Sequence, residues 1–155
     1  MKKKLTIFIL ATMMCVTGIF GYHMDVQAED IVDEDIEFSE LLTEDALIGY
    51  AESQTRGVYL ASGYSIINDA GGGKIGVGGI TNAAYRCKVS VNAVVERLVS
   101  GSWVRVTSYS ATNTNALTAG VSKSLWVSSG YYYRVRSVHY ASTDMSSSCT
   151  SSLWM

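Results

Sequence analysis

The chain has 155 residues, no proline, three cysteines and two histidines, and a formal net charge of −2. That length holds a targeting segment and one domain of ordinary size. So few histidines and cysteines exclude a zinc set built from them, and the absence of proline excludes a wall-sorting motif of the L-P-x-T-G type.

At the N-terminus Lys2, Lys3 and Lys4 precede an apolar run from Leu5 to about Phe20, and Val26 and Ala28 then stand at signal-peptidase spacing. The run is shorter than the ~20 apolar residues that a spanning helix needs. A signal peptide over residues 1–28, cleavage after Ala28 and a secreted, extracellular product without a stable membrane anchor are therefore expected. Cys15 lies inside the apolar run behind two methionines, not in the small-residue setting of a lipidation site, and would leave with the signal. That leaves Cys87 and Cys149, an even number in an oxidising compartment, where a pair usually means a bridge. A disulfide between them would close a loop of about 60 residues, for which chain entropy gives on the order of 4 kcal/mol. Two buried free thiols are the other reading.

Residues 29–55 form an acidic leader. Ten carboxylates fall between Glu29 and Glu52 with no Lys or Arg among them, which predicts a solvated, mostly disordered segment. Within it "FSELLTEDALIGYA" sets Phe38, Leu41, Leu42 and Leu47 at partly helical spacing, with Ser39 as a cap for a short helix. From Arg56 to the end, nine Lys and Arg face Asp69, Glu96 and Asp144, a net +6. The leader is therefore expected to fold back loosely on a basic body at low ionic strength, a passive solvated spacer being the other reading, and Arg56 in "SQTRGVY" offers a site where a trypsin-like protease could separate the two.

Residues 56–155 read as strand throughout. "GYSIIND" and "GKIGVGGIT" flank "AGGG", a hairpin turn in which glycine tolerates positive φ. "YRCKVSVNAVVERLV" alternates, with Tyr85, Cys87, Val89, Val91, Ala93 and Val95 on one face and Arg86, Lys88, Ser90, Asn92 and Glu96 on the other. "SGS" at 100–102 turns into "WVRVTSYS", "ATNTNA" makes a loop into "LTAGVSKSLWV", and "SSG" leads into "YYYRVRSVHYA". In that last stretch Tyr131, Tyr133 and Val135 alternate with Tyr132, Arg134 and Arg136, so the three tyrosines do not form one patch. Turn signals about every ten residues give a single antiparallel β-sandwich.

The run "SGYYYRVRSV" resembles the penultimate strand of fibronectin type III and other immunoglobulin-like domains, which implies that Tyr131 is a corner tyrosine bonded to nearby backbone. Unlike the antibody pattern, no cysteine follows it. The order of "RGVYLASGYSII", "GGGKIGVGGIT", a tryptophan after a hairpin, "GYYYRVRSVH" and a serine-rich end "SLWM" is similar to an uncharacterised family of small proteins secreted by Gram-positive, clostridia-like bacteria. That resemblance implies a secreted β-domain and supplies no activity.

Catalytic constellations are poorly supplied. His139 is the sole histidine after the signal, no G-x-S-x-G elbow selects a serine to join it and Asp144, and Asp69, Glu96 and Asp144 are the only body carboxylates for a glycosidase pair. "GGGKI" lacks the upstream glycine and the Ser/Thr of a phosphate loop. No cofactor, metal or enzymatic role is expected, and nothing resembles a nucleic-acid module. Arg86, Lys88, Tyr132, Arg134 and Arg136 all fall on polar strand faces and would form a basic, tyrosine-bearing patch if those strands are neighbours. Such a patch suits anionic cell-wall polymer, a glycan or another surface protein. A solvated sheet face is the plainer reading. The chain thus reads as a secreted, non-catalytic binding or surface-interaction module, with an antimicrobial or toxin-like effector carrying a removable acidic leader as the alternative.

Overall fold

The computed structural model describes residues 31–51 and 57–155. The signal segment and Arg56 lie outside the described residues. Among the described residues eight strands and one short helix follow in the order β1 (Asp33–Asp35), α1 (Phe38–Leu41), β2 (Leu47–Tyr50), β3 (Leu60–Gly71), β4 (Lys74–Val99), β5 (Ser102–Trp126), β6 (Tyr132–Ala141), β7 (Asp144–Cys149) and β8 (Leu153–Trp154). Every strand pairing is antiparallel, and among the described residues no helix is long and apolar enough to cross a membrane.

One long hairpin, β4–β5, generates two layers. The first half of β4 pairs with β3, which pairs with β2, and the matching end of β5 pairs with β1. From Val89 to Arg97 the second half of β4 pairs instead with β6, which carries β7 and β8. The register slips between Asn82 and Val89, and a strand that bends there can serve both layers. The all-β, sandwich-like architecture expected from the turn spacing is what the chain adopts. "ATNTNA", expected as a loop, is continuous strand within β5. Its partner β4 runs alongside as continuous strand, and the register shifts of the bend fall opposite Asn113 to Thr118, with Asn115 at φ 52°.

The turns at 71–73 and 100–101 stand where the sequence puts them, with positive φ at Gly71, Gly72, Gly73, Ser100 and Gly101. Between the layers lie Ile67, Ile75, Val77 and Leu125 from the first and Ala93, Val95, Tyr133 and Val135 from the second. These are the inward halves of the alternating patterns.

The acidic segment is corrected by the structure. Its described part, residues 31–51, is not disordered: β1 pairs with β5, β2 pairs with β3, and Leu41 is fully buried. Leu41 docks on the outer face of the first layer beside Ile66, over the bare backbones of Gly76 and Gly78; a Cβ at Gly78 would collide with the Leu41 side chain and the Val121 carbonyl, and one at Gly76 with the Asn68 side chain. Asn68 secures it by donating from Nδ2 to the carbonyls of Glu40 and Leu41 at 3.0 and 3.1 Å. The carboxylates between point outward, and Lys123 meets Asp33 and Asp35 while Lys74 meets Glu34. The Asp35 hydrogen bond, aided by Asp33, holds the Lys123 pKa above its ordinary value. Such exposed pairs contribute little each, so the apolar anchor carries the attachment. The helix forms, but Glu37 rather than Ser39 is its N-cap, and no side-chain cap bond is made.

The expected disulfide is also corrected: Cys87 and Cys149 are free thiols. Cys149 lies opposite Arg136, and Arg136 opposite Val94, seven residues along β4 from Cys87. At ~3.3 Å per residue that is about 23 Å along the strands, whereas a bridge needs Cα atoms within ~7 Å. Reductant should leave the melting temperature unchanged, and native protein should titrate two thiols, exposed Cys149 reacting first. A protein that shows no thiol until it is denatured and reduced would contradict this register.

Candidate functional site

Alternation on β6 follows the sequence pattern: Tyr133, Val135, Ser137 and His139 are buried, while Tyr132, Arg134, Arg136 and Tyr140 face outward. The corner role, however, belongs to Tyr133 and not to Tyr131. Tyr133 donates its hydroxyl to the Ser128 carbonyl at 2.8 Å, while the Tyr131 ring lies 4.6 Å from the Arg97 guanidinium carbon. Tyr133→Phe should therefore cost about 1 kcal/mol and Tyr132→Phe close to nothing. Equal losses in denaturant titrations would mean that the facing is wrong.

His139 sits in a closed polar chain that links the layers. Its Nδ1 meets the Thr81 hydroxyl at 2.8 Å and its Nε2 the Ser148 hydroxyl at 2.7 Å. Ser65 joins Ser148 and Ser137, each at 2.7 Å. Burial lowers the His139 pKa from 6.5 to about 4, so the ring is neutral at ordinary pH. His139, Thr81, Ser65 and Ser137 have no exposed surface, so the His139–Ser148 pair presents no open side to a substrate. Asp144 is elsewhere, accepting from the Tyr59 and Leu60 amides at the start of β3. The network reads as a layer-registering device, fully satisfied within the protein.

The predicted patch splits. Arg134 and Arg136 are neighbours, both paired to Glu96 at 2.7 and 3.1 Å. Arg86 and Lys88 are not with them. Lys88 lies eight residues from Glu96 on β4, about 25 Å at the usual strand rise, and Arg86 donates to the Asn115 carbonyl at the bend of the hairpin.

Around Arg134 and Arg136 the outward face gathers residues that the sequence reading left out. Trp103 of β5 is paired with Leu98 of β4, and Trp154 of β8 with Tyr132 of β6. Because Arg97 pairs with Tyr133, the same register carries Leu98 beside Tyr132, so Trp103, Leu98, Tyr132 and Trp154 form one row across four strands. Tyr132 and Trp154 meet edge to face at 4.8 Å and are both substantially exposed. The next row holds Arg105, Glu96 and Arg134, with the Arg134 guanidinium 4.1 Å from the Trp103 ring. Arg136 follows, its side chain 56% exposed. Two guanidinium groups thus pair with one carboxylate, while Arg105 donates instead to the Ser108 hydroxyl, and Glu96 itself is almost wholly buried. Nothing but cross-strand register could have found this row, because its members are up to 56 positions apart in the chain.

A cavity of about 300 Å³ lies between the α1 segment and β3, lined in part by Glu34, Glu40, Asn68, Asp69 and Lys74. Among the described residues no group of three or more His, Cys, Asp or Glu is placed to hold a metal ion.

Fold and site together define an all-β, sandwich-like domain with an aromatic and arginine-bearing sheet face. Comparison with protein-family models, curated proteins and solved structures finds no match to this chain.

Proposed function

We propose that the protein is a secreted, non-catalytic binding module that holds an anionic polymer of the wall-polymer or glycan class on the outward face of β5, β4, β6 and β8. The observation that carries this reading is the row Trp103, Leu98, Tyr132, Trp154 lying directly beside Arg105, Arg134 and Arg136, with Glu96 as the sole counter-charge in that group. A row of exposed rings suits the apolar faces of sugar or polyol units, and guanidinium forks suit their phosphate or carboxylate groups. Glu96 spaces and orients Arg134 and Arg136 while leaving a surplus of positive charge. The row crosses four strands, so a repeating chain fits it better than a compact ligand does.

The effector alternative drew its support from a separable acidic leader. In the structure residues 31–51 supply two strands and a buried anchor, so cutting them away would strip the first layer.

Retention of the purified chain on immobilised poly(glycerol phosphate) and polygalacturonate, across a salt series, tests the proposal. Arg136→Glu and Trp154→Ala should each weaken retention about tenfold or more, equivalent to ~1.4 kcal/mol, and salt should weaken it further by screening. Arg86→Glu with Lys88→Glu should change it little. Stronger loss from the Arg86 and Lys88 pair would move the site to the hairpin bend and refute this assignment.

A further inference from the structure

Arg97 occupies a position that no role above explains. On β4 it is the cross-strand neighbour of buried Tyr133 and continues the inward row of Val91, Ala93 and Val95, so its stem enters the end of the sandwich and not the outward face. Its Nε is buried and has no hydrogen-bond partner. Among the described residues no carboxylate pairs with its guanidinium, which rests instead on the Tyr131 ring. A buried guanidinium nitrogen left without an acceptor is costly, and native proteins seldom keep one without a use. Beside it lies a cavity of about 290 Å³ whose other walls are largely apolar, among them Ile31, Val32, Val106, Trp126 and Tyr133.

We propose that this cavity binds a small organic monocarboxylate with an apolar tail. The edge of a guanidinium formed by Nε and a terminal nitrogen is one of the two-pronged donors that match a carboxylate, and Nε is the donor that stands unused here. The Tyr131 ring, 4.6 Å from the guanidinium carbon, holds the group in place by cation–π attraction. The tail lies against Val106, Trp126 and Tyr133, which offer surface that burial of an aliphatic chain or one aromatic ring would cover. The volume is at the small end for ligand pockets, so it fits a single-ring or short-chain acid and excludes a polymer. Arg97 and Arg134 belong to opposite faces of the β4–β6 pair, which separates this site from the polymer-binding face.

Titration of the purified chain with phenylacetate and hexanoate, with phenylacetamide as the neutral counterpart, tests it by ¹⁵N–¹H shifts of the Arg97 Nε–H and the Trp126 indole. Both acids should shift these signals saturably, phenylacetate about tenfold more tightly than its amide. Arg97→Gln should abolish that preference for the acid, and Arg97→Lys should keep part of it, each read alongside a melting curve. If Arg97→Gln fails to fold, the acid-to-amide ratio on the unaltered chain still decides. Equal binding of acid and amide, absence of a saturable shift at Arg97, or shifts confined to Arg134 and Arg136 would each overturn the proposal.

Discussion

Replacing Leu41 by alanine should destabilise the entire protein by about 3 kcal/mol, the usual cost of truncating a buried leucine whose site cannot collapse. The effect is expected even though Leu41 sits among carboxylates, in a stretch whose composition reads as solvated. Its side chain has no exposed surface and fills the space over Gly76 and Gly78. Those backbones belong to the central strand β4 and cannot move to close the gap without breaking the pairing with β3 and β5. Neighbouring Leu42, half-exposed, is the control, and Leu42→Ala should cost a few tenths of a kcal/mol. A Leu41→Ala loss below about 1 kcal/mol in denaturant titration would mean that the acidic segment is a loose appendage after all.

The second large effect is acid sensitivity through His139. Folded His139 refuses a proton down to about pH 4, whereas the unfolded chain takes one near pH 6.5. Between those values the unfolded state binds more protons, so this residue's contribution is fully present above 6.5 and falls as pH falls to 4. Its loss amounts to about 3 kcal/mol over that window, at ~1.4 kcal/mol per pH unit. His139→Gln keeps hydrogen-bonding atoms near Thr81 and Ser148 without a titrating ring, so its stability relative to the parent should improve steadily from pH 6.5 to 4. A constant difference between the two proteins across that range would show that His139 is not held neutral by burial.

Much of the fold was legible because its strands are half-buried and alternate. Val89 to Val95 and Tyr133 to His139 declare their inward faces directly, and the glycine turns at 71–73 and 100–101 follow from positive φ. The acidic segment was misread because charge count and burial are separate properties. Its carboxylates line the outside while apolar residues, among them Ile31, Phe38, Leu41 and Leu47, make its packing contacts. "ATNTNA" is polar on both faces, as a loop would be, yet pairing with the long partner strand keeps it extended. The disulfide inference counted thiols without knowing register, which sets Cys87 and Cys149 far apart. Of the expected patch, parity alone placed Arg134, Arg136 and Tyr132 correctly on one face. It could not tell that Arg86 and Lys88 lie beyond the bend, or that Trp103 and Trp154 complete the row. Glu96 was read as an outward polar residue. It does face outward, but two arginines cover it.

The most direct test of the polymer-binding face is to follow ¹⁵N–¹H shifts of the assigned protein during titration with poly(glycerol phosphate). The account predicts that the largest changes fall together on Trp103, Tyr132, Arg134, Arg136 and Trp154, with Arg86 and Lys88 little affected. Changes centred on Arg86, Lys88 and the hairpin bend, or spread evenly over every exposed Lys and Arg, would contradict it.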